Sequence, residues 1–159
     1  MKPPRLPPRL RTVLELLPAE AARVADVGAG HGALSAHLSR AGRVVIATES
    51  QDGPFAEMCR NLDGWEAHTS VEARRGAGLQ PLLPGEVDAV IIAGVSAHTA
   101  LSICQEAREK RVRWVLLQCV QGVSQVEPWL TAHGWPVLSR IDAVDRRRTY
   151  PTWLVGVPR

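Results

Sequence analysis

Two acidic residues and a glycine-rich turn carry the clearest chemistry in this sequence. Asp26 ends a short apolar run, and Gly28 and Gly30 follow with one residue between them. Glu49 closes the next apolar run, Val44–Thr48. Glycines at this spacing let the backbone turn tightly and approach a ligand, because no Cβ atom is in the way. The free N–H groups of a helix that starts after such a turn favour an anionic ligand, so the pattern predicts a nucleotide-binding turn.

The two carboxylates indicate which nucleotide-like ligand the turn binds. Gly28-x-Gly30-x-x-Ala33 also satisfies the relaxed dinucleotide fingerprint, so the glycines alone do not choose between ligands. Asp26 would repel a pyrophosphate, but it suits the ammonium and sulfonium groups of S-adenosylmethionine. Glu49 lies at the spacing from which a carboxylate accepts hydrogen bonds from both ribose hydroxyls. Together they favour S-adenosylmethionine over NAD, the alternative being an ordinary strand–helix turn with two incidental acidic residues.

Length, charge and cysteine usage exclude several classes of protein. A chain of 159 residues makes one domain with its own core. A net charge of +3 does not by itself indicate nucleic-acid binding, although the arginines cluster. Cys59, Cys104 and Cys119 lack metal-binding spacing, so they predict reduced, mostly buried thiols of a cytoplasmic protein and no metal. As a separate expectation, the protein is a monomer or weak dimer. The longest apolar run, Val87–Val95, is too short to cross a membrane, and the N-terminus does not have the apolar core of a signal peptide.

The pattern of elements predicts an arm followed by an alternating α/β domain. Residues 1–8 contain paired prolines, which favour an extended arm, and residues 9–159 form the domain. The predicted strands are Arg23–Val27, Val44–Glu49, Val71–Arg75, Val87–Ala93, Trp114–Cys119, Trp135–Ile141 and Tyr150–Val157. The predicted helices begin after Pro8, then cover Ala33–Arg40, Gly53–Leu62, Ala97–Lys110 and Ser124–His133.

The last two predicted strands set the sheet topology. The polar link between them, Asp142–Thr149, is too short for a crossover helix, so these strands must pair antiparallel. The sequence therefore predicts a doubly wound, mostly parallel sheet that ends in an antiparallel β-hairpin. A nicotinamide dehydrogenase domain would more often keep every strand parallel, so the hairpin favours a methyltransferase.

Short motifs distributed along the chain carry a resemblance to a known family. They are Arg9-Leu10-x-Thr12-Val13, Ala25-Asp26-Val27-Gly28-x-x-His31, Glu49-x-x-x-Gly53-Pro54, Arg75-Gly76-x-Gly78-Leu79, Val87-Asp88-x-x-x-Ile92-Ala93-Gly94, and Leu116-Leu117-Gln118. Through them the chain resembles, over nearly its whole length, the bacterial tRNA (adenine-N1)-methyltransferase family TrmK. The resemblance implies a Rossmann-like class I methyltransferase fold, S-adenosylmethionine as cofactor, and N1 of a tRNA adenosine as the methyl acceptor.

Departures from the family pattern keep two alternatives open. Ala77 stands between two glycines where the family has Asn or Asp, and the loop Ala93–Ala97 replaces Ala-Gly-Met-Gly-Gly. Leu117–Val120 replaces Leu-Gln-Pro-Asn, and the chain shows no counterpart of the family's helical C-terminal extension. The alternatives are a methyltransferase for a small molecule and a non-catalytic domain that binds a cofactor or a partner.

Seventeen residues are candidates for the site. Ser96 follows the fourth predicted strand, and Gln118 lies near the end of the fifth. These two residues are the candidates for substrate contact in catalysis. The predicted cofactor contacts are Asp26, Gly28, Ala29, Gly30, His31, Glu49, Ser50, Gly76, Ala77 and Ala93. The predicted tRNA contacts are Arg9, Arg11, Arg146, Arg147 and Arg148, with a solvated turn as the alternative for the last three. The sixth strand runs parallel to the first five, so the link that follows it should emerge at the cofactor's edge of the sheet.

Overall fold

The computed structural model describes residues 1–67 and 70–159, which form helices on both faces of one sheet. The helices are α1 (Pro8–Leu16), α2 (Ala33–Arg40), α3 (Asp52–Gly64), α4 (Ala97–Ala107) and α5 (Val126–Ala132). The strands are β1 (Arg23–Val27), β2 (Val44–Glu49), β3 (Val71–Arg75), β4 (Ala89–Ser96), β5 (Trp114–Gln121), β6 (Val137–Asp145) and β7 (Arg148–Gly156).

The strands are ordered β3-β2-β1-β4-β5-β7-β6. β1 to β5 pair in parallel, whereas β7 is antiparallel to both of its neighbours. The predicted doubly wound sheet with a terminal antiparallel hairpin is therefore confirmed. The carboxyl ends of β1 to β5 meet at one edge of the sheet, which we call the carboxyl edge. Ligands bind at this edge in open α/β sheets.

Alternating side chains of the central strands supply two separate cores. Val24 and Ile91 pack with α1, α2 and α3 on one face of the sheet. Ala25, Val90 and Ile92 pack with α4 and α5 on the other face. A strand that is buried on both faces has a nearly continuous apolar sequence, and β4, which lies between β1 and β5, has such a sequence.

The N-terminal arm lies against the domain. α1 begins at Pro8, one residue earlier than predicted, where the missing backbone N–H costs nothing, and Pro7 before it has an extended backbone. Leu6 is 4% exposed and joins the core, while Arg5 is exposed. His37 Nε2 donates to the carbonyl oxygen of Pro4 at 2.8 Å. These contacts fix the arm where it leads into α1.

The link between the last two strands is shorter than the sequence predicted. β6 and β7 stay paired as far as Asp145 and Arg148, so the prediction of a loop over Asp142–Thr149 is wrong. Only Arg146 and Arg147 form the turn, with φ values of 48° and 65°. Two-residue hairpins favour this left-handed conformation, usually with Asn-Gly. The ends of the strands project beyond the core, so burial left no alternating pattern there to reveal them.

The direction of the hairpin agrees with the prediction. β6 is antiparallel to β7, and β7 is antiparallel to β5, so β6 runs in the same direction as β5. The turn at Arg146 and Arg147 therefore emerges at the carboxyl edge. Smaller differences are at the ends of other elements. β4 begins two residues later than predicted and extends to Ser96, which was expected to follow it. α4 stops three residues before the predicted Lys110, and α5 starts after a 3₁₀ turn, Val123–Gln125.

Candidate functional site

The loop after β1 is held in place by the end of β2. Gly28 and Gly30 have φ values of 66° and 59°, which favour glycine, and no heavy atom lies within 4 Å of where a Cβ would stand. The Ala29 N–H donates to the Thr48 carbonyl at 2.8 Å, and the Gly30 N–H donates to Glu49 Oε1 at 3.3 Å. The loop is therefore fixed by hydrogen bonds while its glycines face open space.

The larger cavity at the carboxyl edge has a volume of about 560 Å³. Five of the predicted cofactor residues line it: Gly28, Glu49, Ser50, Gly76 and Ala77. They come from the loops after β1, β2 and β3, so the parallel strands bring together residues that lie far apart in the sequence. Their contact with a cofactor remains a prediction.

One face of α4 forms the opposite wall, and the sequence analysis missed it. Thr99, Ser102, Ile103 and Glu106 line the cavity at helical spacing. Glu106 Oε2 accepts a hydrogen bond from the Leu79 N–H at 2.8 Å and so holds the loop after β3. A sequence signal for this wall was present: Thr99, Ser102 and Glu106 are polar residues at i, i+3 and i+7 of a helix that starts at the carboxyl edge.

A smaller cavity of about 160 Å³ lies on the other side of the glycine turn. It is lined by the remaining five predicted cofactor residues, namely Asp26, Ala29, Gly30, His31 and Ala93. Gly28 lines both cavities, so they adjoin at the turn. Arg9 and Leu10 of α1 complete the wall, which places the start of α1 at the site.

Asp26 is the buried acidic group of the site. It is 5% exposed, and the Ser35 hydroxyl donates to its Oδ2 at 2.7 Å. Burial raises the pKa of Asp26 from 3.8 to about 6, against the lowering effect of the Ser35 hydrogen bond. A cationic ligand group in the smaller cavity would favour the charged form of this carboxyl.

Gln118 connects α1 to the sheet. Its side chain is fully buried; Nε2 donates to the Arg9 carbonyl at 2.8 Å and to Thr152 Oγ1 at 2.7 Å. Its Oε1 accepts from Arg9 Nη1 at 3.2 Å. Since every polar atom of the amide already has a partner, this geometry favours a positioning role for Gln118 over direct contact with substrate.

Ser96 caps α4, as its position in the sequence predicted. Its Oγ accepts from the Thr99 N–H at 3.3 Å and donates to Thr99 Oγ1 at 3.2 Å. Ser96 is not among the residues that line the two cavities. Its contact with substrate remains a prediction that these hydrogen bonds do not support.

The five arginines predicted to contact RNA differ in exposure. Arg11 is exposed on α1, and Arg146, Arg147 and Arg148 are exposed at the hairpin turn, whereas Arg9 is half-buried. Across residues 1–67 and 70–159, none of the five forms an ion pair with a carboxylate. Their charges are therefore not neutralised within the described part of the chain.

Two kinds of feature are absent from residues 1–67 and 70–159. No helix in these ranges is long and apolar enough to cross a membrane. No group of three or more His, Cys, Asp or Glu side chains there is arranged to hold a metal ion.

The fold and the site together define a class of protein. A mostly parallel sheet that ends in an antiparallel hairpin, with a glycine turn between two carboxylates at its carboxyl edge, is the class I methyltransferase arrangement. Residues 6–152 match the family described as "Methyltransferase domain". The chain belongs to this methyltransferase family.

Named relatives share most of this chain's length. The tRNA (adenine(22)-N(1))-methyltransferase of Bacillus subtilis (strain 168) is 28% identical over 151 residues, which cover 92% of this chain and 63% of that protein. The crystal structure of the B. subtilis m1A22 tRNA methyltransferase TrmK superposes with a TM-score of 0.87 at 24% identity, over 97% of this chain and 67% of that one. M. capricolum TrmK in complex with S-adenosylhomocysteine gives a TM-score of 0.84 at 18% identity, over 97% of this chain and 70% of that one. The chain thus spans about two thirds of the length of these relatives.

The raised pKa of Asp26 predicts a pH-dependent loss of stability. Between about pH 4 and pH 6 the unfolded chain releases this proton while the folded protein keeps it, so the free energy of unfolding falls as pH rises. Asp26→Asn has no charge to bury and should be about 3 kcal/mol more stable than wild type at pH 8, with no advantage at pH 4. Urea unfolding of both proteins at the two pH values measures the difference.

Asp88 provides a control, because its pKa is shifted in the opposite direction from that of Asp26. Desolvation raises its pKa, but hydrogen bonds from the Arg23 amide and guanidinium outweigh that effect and hold the pKa below its usual range. Asp88→Asn should therefore lose stability at pH 8. An Asp26→Asn variant with the same stability difference at both pH values would contradict the account of Asp26.

Proposed function

We propose that this chain is an S-adenosylmethionine-dependent methyltransferase domain that acts on N1 of an adenosine in tRNA. The observation that carries the proposal is the position of Glu49 and Asp26 in two adjoining cavities, on either side of one glycine turn. Unneutralised arginines at the same edge of the sheet favour a nucleic acid over a small molecule as methyl acceptor.

The chemistry of the two cavities fits S-adenosylmethionine. Glu49, half-buried at the end of β2, presents a carboxylate that would accept hydrogen bonds from the ribose hydroxyls. Asp26 in the smaller cavity would pair with the ammonium group, which restores its charged form. Gly28 and Gly30 leave open space beside the backbone, where side chains would otherwise stand. Ser50, Gly76 and Ala77 complete the wall of the larger cavity.

The protein's contribution to methyl transfer is orientation. When bound, S-adenosylmethionine supplies a methyl group already activated by its positively charged sulfur. Neutral adenine N1 carries a lone pair, so no strong general base is required. The residues of this chain must instead hold the acceptor nitrogen in line with the methyl group and keep the acceptor base out of its helical stack. Arg9, held by Gln118 at the wall of the smaller cavity, is well placed to orient the acceptor strand.

The arginines at the carboxyl edge are the proposed tRNA contacts. Arg146 and Arg147 occupy a left-handed turn that Asn and Gly would adopt at lower cost. Arginine at both positions places two exposed positive charges at the tip. Arg148 adds a further exposed charge beside the turn, and Arg11 is exposed on α1. Such a surface tracks phosphates by releasing counterions, which makes binding dependent on salt.

Replacing Glu49 by Gln should weaken cofactor binding by about tenfold or more, because hydrogen bonds to a charged acceptor contribute about 1.5–3 kcal/mol each. Calorimetry with S-adenosylhomocysteine gives the dissociation constant. Glu57→Gln, at an exposed position on α3, is the control and should bind as wild type does. An unchanged dissociation constant in a folded Glu49→Gln variant, or tighter binding of NAD by wild type, would contradict the cofactor assignment.

Replacing Arg146, Arg147 and Arg148 together by Gln should weaken tRNA binding and lower its salt slope by about one counterion per lost phosphate contact. The affinity for S-adenosylhomocysteine should not change, because the turn lies outside both cavities. Filter binding of unmodified bacterial tRNA over a range of salt concentrations measures the slope.

A second triple variant provides the matched control. Arg108, Arg111 and Arg113 are exposed and precede β5, at the opposite edge of the sheet, so their replacement by Gln removes the same charge without touching the proposed surface. If both triple variants lower the salt slope equally, net charge rather than the hairpin turn accounts for binding. An unchanged salt slope in the hairpin variant would show that the turn is solvated and does not contact tRNA.

A further inference from the structure

Tyr150 links the hairpin turn to the cofactor cavities. It is half-exposed on β7, two residues after the turn-flanking Arg148. The guanidinium carbon of Arg148 lies 5.6 Å from the centre of its ring, and that of Arg9 lies 6.0 Å from the same point. One aromatic ring therefore lies within about 6 Å of an arginine of the turn and of an arginine of α1.

Alternation along β7 explains why these groups align. Arg148, Tyr150 and Thr152 are two residues apart, so their side chains project from the same face of the strand. Thr152 Oγ1 accepts from Gln118 Nε2 and donates to the Tyr150 carbonyl at 3.1 Å. Because Gln118 also holds Arg9, one network of hydrogen bonds joins the backbone of Tyr150 to one of the two arginines near its ring.

Arg9 connects this row to the methyl-transfer site. It lines the smaller cavity together with Asp26 and Ala93, and its Nη1 lies 3.8 Å from where a Cβ on Gly94 would stand. The row Arg148–Tyr150–Arg9 therefore runs from the exposed turn to the wall of the cavity. A strand of nucleic acid that followed it would reach the proposed acceptor position.

The charges of the row are uncompensated within the described ranges. Neither Arg9 nor Arg148 pairs with a carboxylate there, and the only side-chain partner of the Arg9 guanidinium, besides the ring, is the neutral amide of Gln118. Two arginines near one ring make this part of the surface positive, which favours an anionic ligand there. A phosphate matches the two guanidinium groups, and the flat face of a base matches the ring.

We propose that Arg9, Tyr150 and Arg148 form a subsite for a single nucleotide, the one that adjoins the methylated adenosine. Its base stacks on Tyr150, and its phosphate is held by the two arginines. This subsite rests on the proposed function, because it requires RNA as the substrate. Its role is to position the strand, so it contributes to affinity for RNA and not to the chemical step.

Tyr150→Leu, which removes the ring but keeps apolar bulk, should raise KM for tRNA by about tenfold, the effect of losing one stacked base. The kcat and the affinity for S-adenosylhomocysteine should stay as in wild type. The salt slope should also stay unchanged, because stacking releases no counterions. Tyr150→Phe keeps the ring and should restore the KM of wild type. Steady-state kinetics with unmodified bacterial tRNA, and filter binding over a range of salt concentrations, give these quantities.

Arg148→Gln tests the same subsite at an exposed residue that folding does not depend on. It should raise KM for tRNA and lower the salt slope by about one. Two controls remove comparable groups elsewhere: Trp129→Leu takes away a half-exposed aromatic ring on α5, and Arg113→Gln takes away an arginine stacked on Trp114 at the opposite edge. Both controls should bind tRNA as wild type does.

Three results would overturn the subsite. Wild-type KM in Tyr150→Leu, or an equal loss in Tyr150→Leu and Tyr150→Phe, rules out stacking on the ring. A wild-type KM and slope in Arg148→Gln rules out the phosphate contact. If the wild-type protein itself neither binds nor methylates tRNA, the proposed function and the subsite fail together, whereas the first two results leave the proposed function intact.

Discussion

The site depends on the hydrogen bonds between the glycine turn and the end of β2. The Ala29 N–H reaches the Thr48 carbonyl at 2.8 Å, and the Gly30 N–H reaches the Glu49 carboxylate at 3.3 Å. Glu49 therefore both holds the glycine turn and lines the larger cavity. Because β1 and β2 are parallel neighbours in the sheet, the glycine turn after β1 and the carboxylate at the end of β2 lie at the same edge. Both cavities adjoin at this point.

A second network extends the site toward the last strands. The fully buried Gln118 joins Arg9 of α1 to Thr152 of β7, so an element from the start of the chain and one from its end meet beside β5. An unpaired amide in this position would cost free energy, and its three hydrogen bonds avoid that cost. The antiparallel hairpin thus becomes part of the site, and it brings the arginines of the turn to the carboxyl edge.

The sequence predicted those parts of the fold that burial and backbone conformation determine. The glycine turn, the two carboxylates and the buried run of β4 each leave a local signature, and all ten predicted cofactor residues line the two cavities. The ends of β6 and β7 leave no such signature, because they are exposed and are held by strand pairing. Arginine in the left-handed turn conformation also hid the hairpin, since turn rules lead one to expect Asn or Gly.

Contacts between distant elements were beyond the reach of the sequence. Nothing local indicates that Glu106 supports the loop after β3, or that Tyr150 lies close to two arginines from opposite ends of the chain. Gln118 was correctly placed at the site's edge of the sheet, but its burial and its partners depend on the packing of α1. Those partners favour a positioning role for Gln118 in place of the predicted contact with substrate.

The most direct test of the account is the identity of the methylated product. The protein is incubated with S-adenosylmethionine carrying a labelled methyl group and with total bacterial tRNA, and the RNA is then digested to nucleosides. The account predicts label in 1-methyladenosine, at a level that falls when Glu49 is replaced by Gln. Label in another nucleoside, turnover of the cofactor with a small molecule in the absence of RNA, or binding without any transfer would contradict it.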